Sequence, residues 1–164
     1  MTAATDDCTV TLDRCSSLRL LSGTAKGRGV SAGDKIASGT VIDKCPVLVL
    51  DADENRTHIE KTSLYHYTYN WPTLDKDGKP IKSQAVVFGL GSLFNHSRQE
   101  QNVAWKRDLD NQLVIYWALR DIRQGEELCI SYGDHLTFED ADKPDTNGNV
   151  EDADEHLAGI KLDP

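Results

Sequence analysis

The 164-residue chain is short of several things. Its four cysteines, Cys8, Cys15, Cys45 and Cys129, never stand as a Cys-x-x-Cys pair. A zinc cluster built by this chain is therefore not expected, and no metal is assigned. Cys45 and Cys129 lie in apolar runs and are expected as core thiols. Long hydrophobic runs are missing too. The longest, Leu113–Leu119, is far below the ~20 residues of a membrane span, so no membrane partner is expected. The start, Met1-Thr-Ala-Ala-Thr-Asp-Asp, has neither a basic nor an apolar region, and no secretory leader is expected. A basic stripe is absent, which argues against direct binding of nucleic acid.

What is present is acid, unevenly spread. The net charge is −9, and residues 133–164 carry ten acids against two bases. The rest is nearly neutral. Such a tail attracts basic, Lys-rich proteins, although a merely solvated tail reads the same way. The expected division is a flexible N-terminus over 1–14, one folded domain over 15–138, and an acidic tail over 139–164.

Within the domain, Gly23, Gly27, Gly29, Gly33 and Gly39 punctuate short segments, which suits hairpins more than helices. Thr40-Val-Ile and Val47-Leu-Val-Leu are β-rich runs that Asp43 and Pro46 are expected to break. Residues 51–62 have room for one short helix. Tyr65, Tyr67, Tyr69 and Trp71 recur at period 2, which predicts a strand with these aromatics on one face. Asp75-Lys-Asp-Gly-Lys-Pro is a turn. Leu113–Leu119 and Glu127–Tyr132 are two further strands joined by a turn ending at Gly125. The fold class is mostly β, or α+β.

Three segments carry chemistry when taken together: Lys26-Gly-Arg-Gly-Val; Gly91-Ser-Leu-Phe-Asn-His-Ser followed by Asn102; and Asp121-Ile-Arg-Gln-Gly-Glu-Glu-Leu-Cys-Ile-Ser-Tyr-Gly. Alone, Gly27-Arg28-Gly29 would be an ordinary hairpin turn, His96 a satisfied core histidine, and Tyr132 a strand tyrosine. Their order and spacing, over residues 18–135, resemble the SET-domain protein lysine methyltransferases, and most of all the compact members without flanking zinc modules. The resemblance implies a β-clip fold of small twisted sheets with a C-terminal pseudoknot. It implies S-adenosylmethionine as cofactor, S-adenosylhomocysteine as product, and a Lys-rich protein, chiefly histone, as substrate. A nuclear location follows from that substrate class, with the cytoplasm also open.

The resemblance also assigns residues. Lys26, Gly27, Arg28, Gly29, Asn95, the backbone of His96 and Tyr132 would hold the cofactor. Phe138, the one aromatic beyond Tyr132, would pack on its adenine or else anchor the tail. Tyr132 and Tyr67 would be catalytic, and Tyr67, Trp105 and Ile130 would line the lysine channel. Trp117 is expected in the core. Of Glu126 and Glu127, one would make structural hydrogen bonds and the other face solvent, since neighbours on a strand point to opposite faces.

The sequence departs from the family pattern Arg-Phe-x-Asn-His-x-Cys-x-Pro-Asn. Ser92 stands for the Arg, Arg98 for the Cys and Gln101 for the Pro, and the stretch from His96 to Asn102 is one residue longer. Ile130 stands where a bulkier aromatic often limits methylation, which leaves the product degree open. A homodimer and a catalytically weak module that binds basic proteins also stay open.

Overall fold

The computed structural model describes residues 9–24, 26–75 and 77–132. The strands are β1 (Leu18–Thr24), β2 (Gly27–Ala32), β3 (Val41–Val49), β4 (Thr68–Leu74), β5 (Pro80–Val87), β6 (Asn95–His96), β7 (Val103–Asp108), β8 (Leu113–Ala118) and β9 (Cys129–Ile130). A single helix, α1 (Ala52–Thr57), lies among the described residues, with 3-10 turns at Ile59–Lys61, Ser63–Tyr67 and Leu90–Leu93. Asp51 caps α1 by accepting from the backbone of Asp53 and Glu54, which satisfies two orphan donors of its first turn.

The glycine-punctuated start folds as the antiparallel hairpin β1–β2, whose register slips between Leu21 and Thr24. Gly27 sits at the slip with φ +85°, a conformation that costs residues with a Cβ. Strands β4-β5-β3-β8-β7 form a five-stranded sheet. Its neighbours are all antiparallel. Val30, Ile42, Phe94, Val114, Tyr116 and Leu128 are wholly buried in one core. Each large side chain there contributes about 1.5–3 kcal/mol by leaving water. Gly91 lies so close to Tyr116 that a Cβ would overlap the phenol ring.

Two expectations need correction. Asp43 and Pro46 do not break β3. Residues 41–46 pair with β8 and residues 47–49 with β5, so Pro46 stands where the strand changes partner and its missing N–H disrupts little. Asp43 is buried with compensation. Its carboxylate accepts from Arg14 Nε at 2.9 Å, Cys45 Sγ at 3.1 Å and Leu90 N at 3.2 Å.

The aromatic strand begins later than its alternation suggests. Ser63–Tyr67 is a 3-10 turn, capped by the Thr62 hydroxyl, and only Tyr69 and Trp71 lie on β4. Side-chain spacing alone did not reveal that cap. Residues 13 and 14 are bonded to β3. Lys44 N donates to Asp13 O at 3.0 Å, and Arg14 pairs with Asp43.

The third sheet positions the site. Strand β6 pairs in parallel with β9, Asn95 opposite Cys129 and His96 opposite Ile130. Ser97 N donates to Ile130 O at 3.1 Å, and Asn102 N donates to Cys129 O at 3.1 Å. Successive carbonyls of an extended strand point to opposite edges, so the 95–102 segment grips β9 from both sides. This is the clip-like crossing implied by the resemblance, an exception to the usual avoidance of threading.

Candidate functional site

Three segments distant in sequence converge where β2 starts, β6 runs and β9 ends. Backbone bonds dock residues 126–128 onto β2: Ala32 N donates to Glu126 O at 2.9 Å and Leu128 N to Val30 O at 2.7 Å. That places the Glu127 side chain beside Asn95, whose Nδ2 donates to Glu127 Oε1 at 2.7 Å. Gly29 closes over this pair. A Cβ there would meet the Glu127 carboxylate and sit 2.8 Å from Asn95 Nδ2. The missing side chain is what allows the approach.

Tyr132 emerges from β9 held at two points. Its backbone N donates to His96 Nδ1 at 3.1 Å, and its hydroxyl donates to Phe94 O at 2.7 Å. The rings of His96 and Tyr132 lie 5.3 Å apart. Burial pushes the Tyr132 phenol up to about 12, with nearby Cys129 and Tyr67 adding to the rise. The phenol therefore stays neutral near pH 7. Because its proton is engaged by Phe94 O, the oxygen can take part in any further hydrogen bond only as an acceptor.

Aromatic residues form the wall behind Tyr132. Trp105 Nε1 donates to Ser131 O at 3.1 Å. Tyr69 packs edge-on against Trp105 with centroids 5.1 Å apart. Tyr116 donates its hydroxyl to that of Tyr69 at 3.1 Å, and Tyr69 donates to Gly91 O at 3.4 Å. Burial raises both phenols, Tyr116 well above its ordinary value. Arg107 lies 4.9 Å from the Trp105 ring centroid, within cation–π range.

The residues singled out from sequence fall as follows. Gly27 and Arg28 are exposed at the start of β2, and Gly29 is buried. Lys26 Nζ donates to His96 O at 3.1 Å, so the His96 carbonyl already has a partner. Asn95, His96 and Tyr132 are brought together as described. Tyr67 ends a 3-10 turn and is 38% exposed, close enough to Tyr132 to affect its ionisation. Trp105 is half-buried against Ser131. Ile130 is fully buried in the core opposite His96. Phe138 and the acidic tail lie outside the described residues.

The expectation for the glutamate pair is corrected: both carboxylates make internal bonds. Glu126 accepts from Asn102 Nδ2 at 3.0 Å, Arg123 N at 3.0 Å and Arg120 NH2 at 2.6 Å. Burial works to raise its carboxyl, but these bonds prevail and hold it below the usual range. Glu127 holds Asn95. Sequence reasoning also passed over Tyr69. The signal for both was present, in Gly125-Glu126-Glu127-Leu128 and in the alternation with Trp71, but the bonding partners were not readable.

The donor set suits the amino-acid end of a small ligand. The Asn95 amide oxygen takes no hydrogen bond among the described residues, and nothing lies within 4 Å of where a Cβ on Gly27 would be. Among the described residues no three His, Cys, Asp or Glu side chains gather as a metal-ligand set.

Comparison with known proteins agrees with this arrangement. The family model described as SET domain matches residues 27–133. The histone-lysine N-methyltransferase, H3 lysine-37 specific, of Schizosaccharomyces pombe is 48% identical over 115 residues, covering 70% of this chain and 72% of that protein. Among solved structures, a Plasmodium falciparum protein named as a candidate histone methyltransferase superposes with a TM-score of 0.51 at 22% identity, over 73% of this chain and 95% of the other. CpSET8 from Cryptosporidium gives a TM-score of 0.53 at 25% identity, over 73% of this chain and 58% of the other.

Proposed function

The chain belongs to the SET domain family and is a protein-lysine N-methyltransferase; we propose that it methylates a histone lysine, in the nucleus, with S-adenosylmethionine as methyl donor. The observation that carries this reading is that Gly29 packs on Asn95 while Tyr132 is bonded to the residues on either side of it, Phe94 and His96. The donor supplies an electrophilic methyl on a sulfonium. The protein's task is to align a neutral amine with it and exclude water.

Gly27, Arg28, Gly29 and Asn95 take the amino-acid end of the donor, and Lys26 and the His96 backbone flank its nucleoside end. The exposed glycine turn and the open amide oxygen of Asn95 support this. Tyr132 accepts an N–H of the target amine, which turns the nitrogen lone pair toward the methyl. Its neutral, buried phenol suits that role. Free lysine has a pKa of about 10.4, and an apolar channel favours its uncharged form. Tyr67 stands at the channel rim, Trp105 forms its wall and Ile130 its floor. The aromatic faces of Tyr67 and Trp105 tolerate the methylammonium product.

Radiolabelled methyl transfer to core histones tests the reaction, with mass spectrometry of a histone peptide array locating the lysine. Label in histone that is absent with Tyr132→Phe supports the reading. Wild type that binds the donor yet labels neither histones nor a cell extract overturns it.

A further inference from the structure

We propose that Glu127 is a positioning residue that sets the amide of Asn95 to receive the α-ammonium of the methyl donor. The inference rests on the donor assignment made under Proposed function and adds the group that enforces it.

An asparagine amide can offer a ligand either its oxygen or its NH2. A carboxylate only accepts. The 2.7 Å bond from Asn95 Nδ2 to Glu127 Oε1 therefore fixes which end of the amide faces the protein. The oxygen faces the other way and takes no partner among the described residues. A ligand that meets this oxygen must bring a donor, and an ammonium brings three.

The local structure leaves the pair little freedom. Gly29 packs directly on the carboxylate and on Asn95 Nδ2. The Glu127 backbone is held independently of its side chain. It bridges to Ser31, and its carbonyl accepts from Asn102 Nδ2 at 2.7 Å. Changing the carboxylate to an amide therefore alters the side chain's bonding without releasing the strand. Glutamine matches glutamate in size but can donate as well as accept. It can pair with Asn95 in either orientation, so the amide would no longer be held one way.

Isothermal titration of purified Glu127→Gln with two nucleotides tests this. S-Adenosylhomocysteine carries the ammonium, and 5′-methylthioadenosine lacks the amino-acid end. The expected result is about a tenfold loss for the first, the scale of one charge-assisted hydrogen bond, and no change for the second. In an Asn95→Ala background, Glu127→Gln should cause no further loss. Equal weakening of both nucleotides would assign Glu127 a merely structural role and overturn the proposal. So would unchanged binding of S-adenosylhomocysteine. Wild type that binds neither nucleotide overturns the donor assignment itself, and this inference with it.

Discussion

Two asparagine–glutamate pairs sit close together and are satisfied to different degrees. The inner pair, Asn102 with Glu126, is structural. Asn102 is fully buried and its amide is saturated. Nδ2 donates to Glu126 Oε1 at 3.0 Å and to Glu127 O at 2.7 Å, and Oδ1 accepts from Cys129 N at 2.9 Å. The outer pair, Asn95 with Glu127, is only half-buried, and its single bond among the described residues leaves the amide oxygen open. The residue types are the same. What differs is how many partners the protein itself supplies, and an amide left half-satisfied at a surface is available to a ligand.

The largest expected effect separates the pairs by stability. Asn102→Ala strips partners from Cys129 N, Glu127 O and Glu126, all in or near the core. Each buried group left unpaired costs about 1–3 kcal/mol, so a loss of about 3 kcal/mol or more is expected in denaturant melts. A variant that melts like wild type would erase the distinction.

Tyr132→Phe comes next and places the tyrosine with the outer pair. Methyl transfer should fall by about a hundredfold or more, since orientation at the reacting centre is lost. Stability should fall by only about 1 kcal/mol, for the unpaired Phe94 carbonyl. If the variant unfolds as Asn102→Ala does, Tyr132 belongs to the clip instead.

Asn95→Ala sharpens the contrast from the other side. Affinity for S-adenosylhomocysteine should drop by about tenfold, while stability changes by about 1 kcal/mol or less, as suits a half-exposed pair. Calorimetry and melts on one sample measure both.

The smallest effect is alkaline. Tyr132 ionises at 10 unfolded and is pushed to about 12 when folded. Its native state therefore favours the protonated phenol. That stability is fully present below about pH 10 and is lost as pH rises toward 12. Tyr69 and Tyr116 are raised by burial too and act with the same sign. Tyr132→Phe should therefore lose less stability than wild type does as pH rises from about 10 toward 12, whatever its stability at neutral pH. A steeper loss in the variant would contradict the sign.

The sequence was informative where local chemistry decides structure. The glycine-rich start, the Asp75–Pro80 turn and the β8 run each carry their own signal, and each forms as expected. Cys45 and Cys129 are in the core as their apolar settings suggest, whereas Trp117, expected there too, is only half-buried. Readability failed where a distant partner decides. Nothing near Asp43 announces Arg14 or Leu90, which make its burial tolerable within β3. The tyrosine alternation of 65–71 mimics a strand, but the Thr62 cap turns its first half into a 3-10 turn. For the site, motif order brought Asn95, His96 and Tyr132 together. It could not say which glutamate reaches Asn95, because that depends on how residues 126–128 dock on β2.

The clasp around β9 has a consequence in time. Strand β6 finds its parallel partner more than thirty residues later, and the loop after it closes on that same strand. Such non-local pairing is slow, since chain closure must precede any reward from contact. During synthesis the glycine hairpin and strand β6 emerge first and wait. The cluster of Gly29, Asn95, Glu127 and Tyr132 is incomplete until the stretch through Tyr132 has left the ribosome, so activity should appear late and all at once rather than growing with chain length.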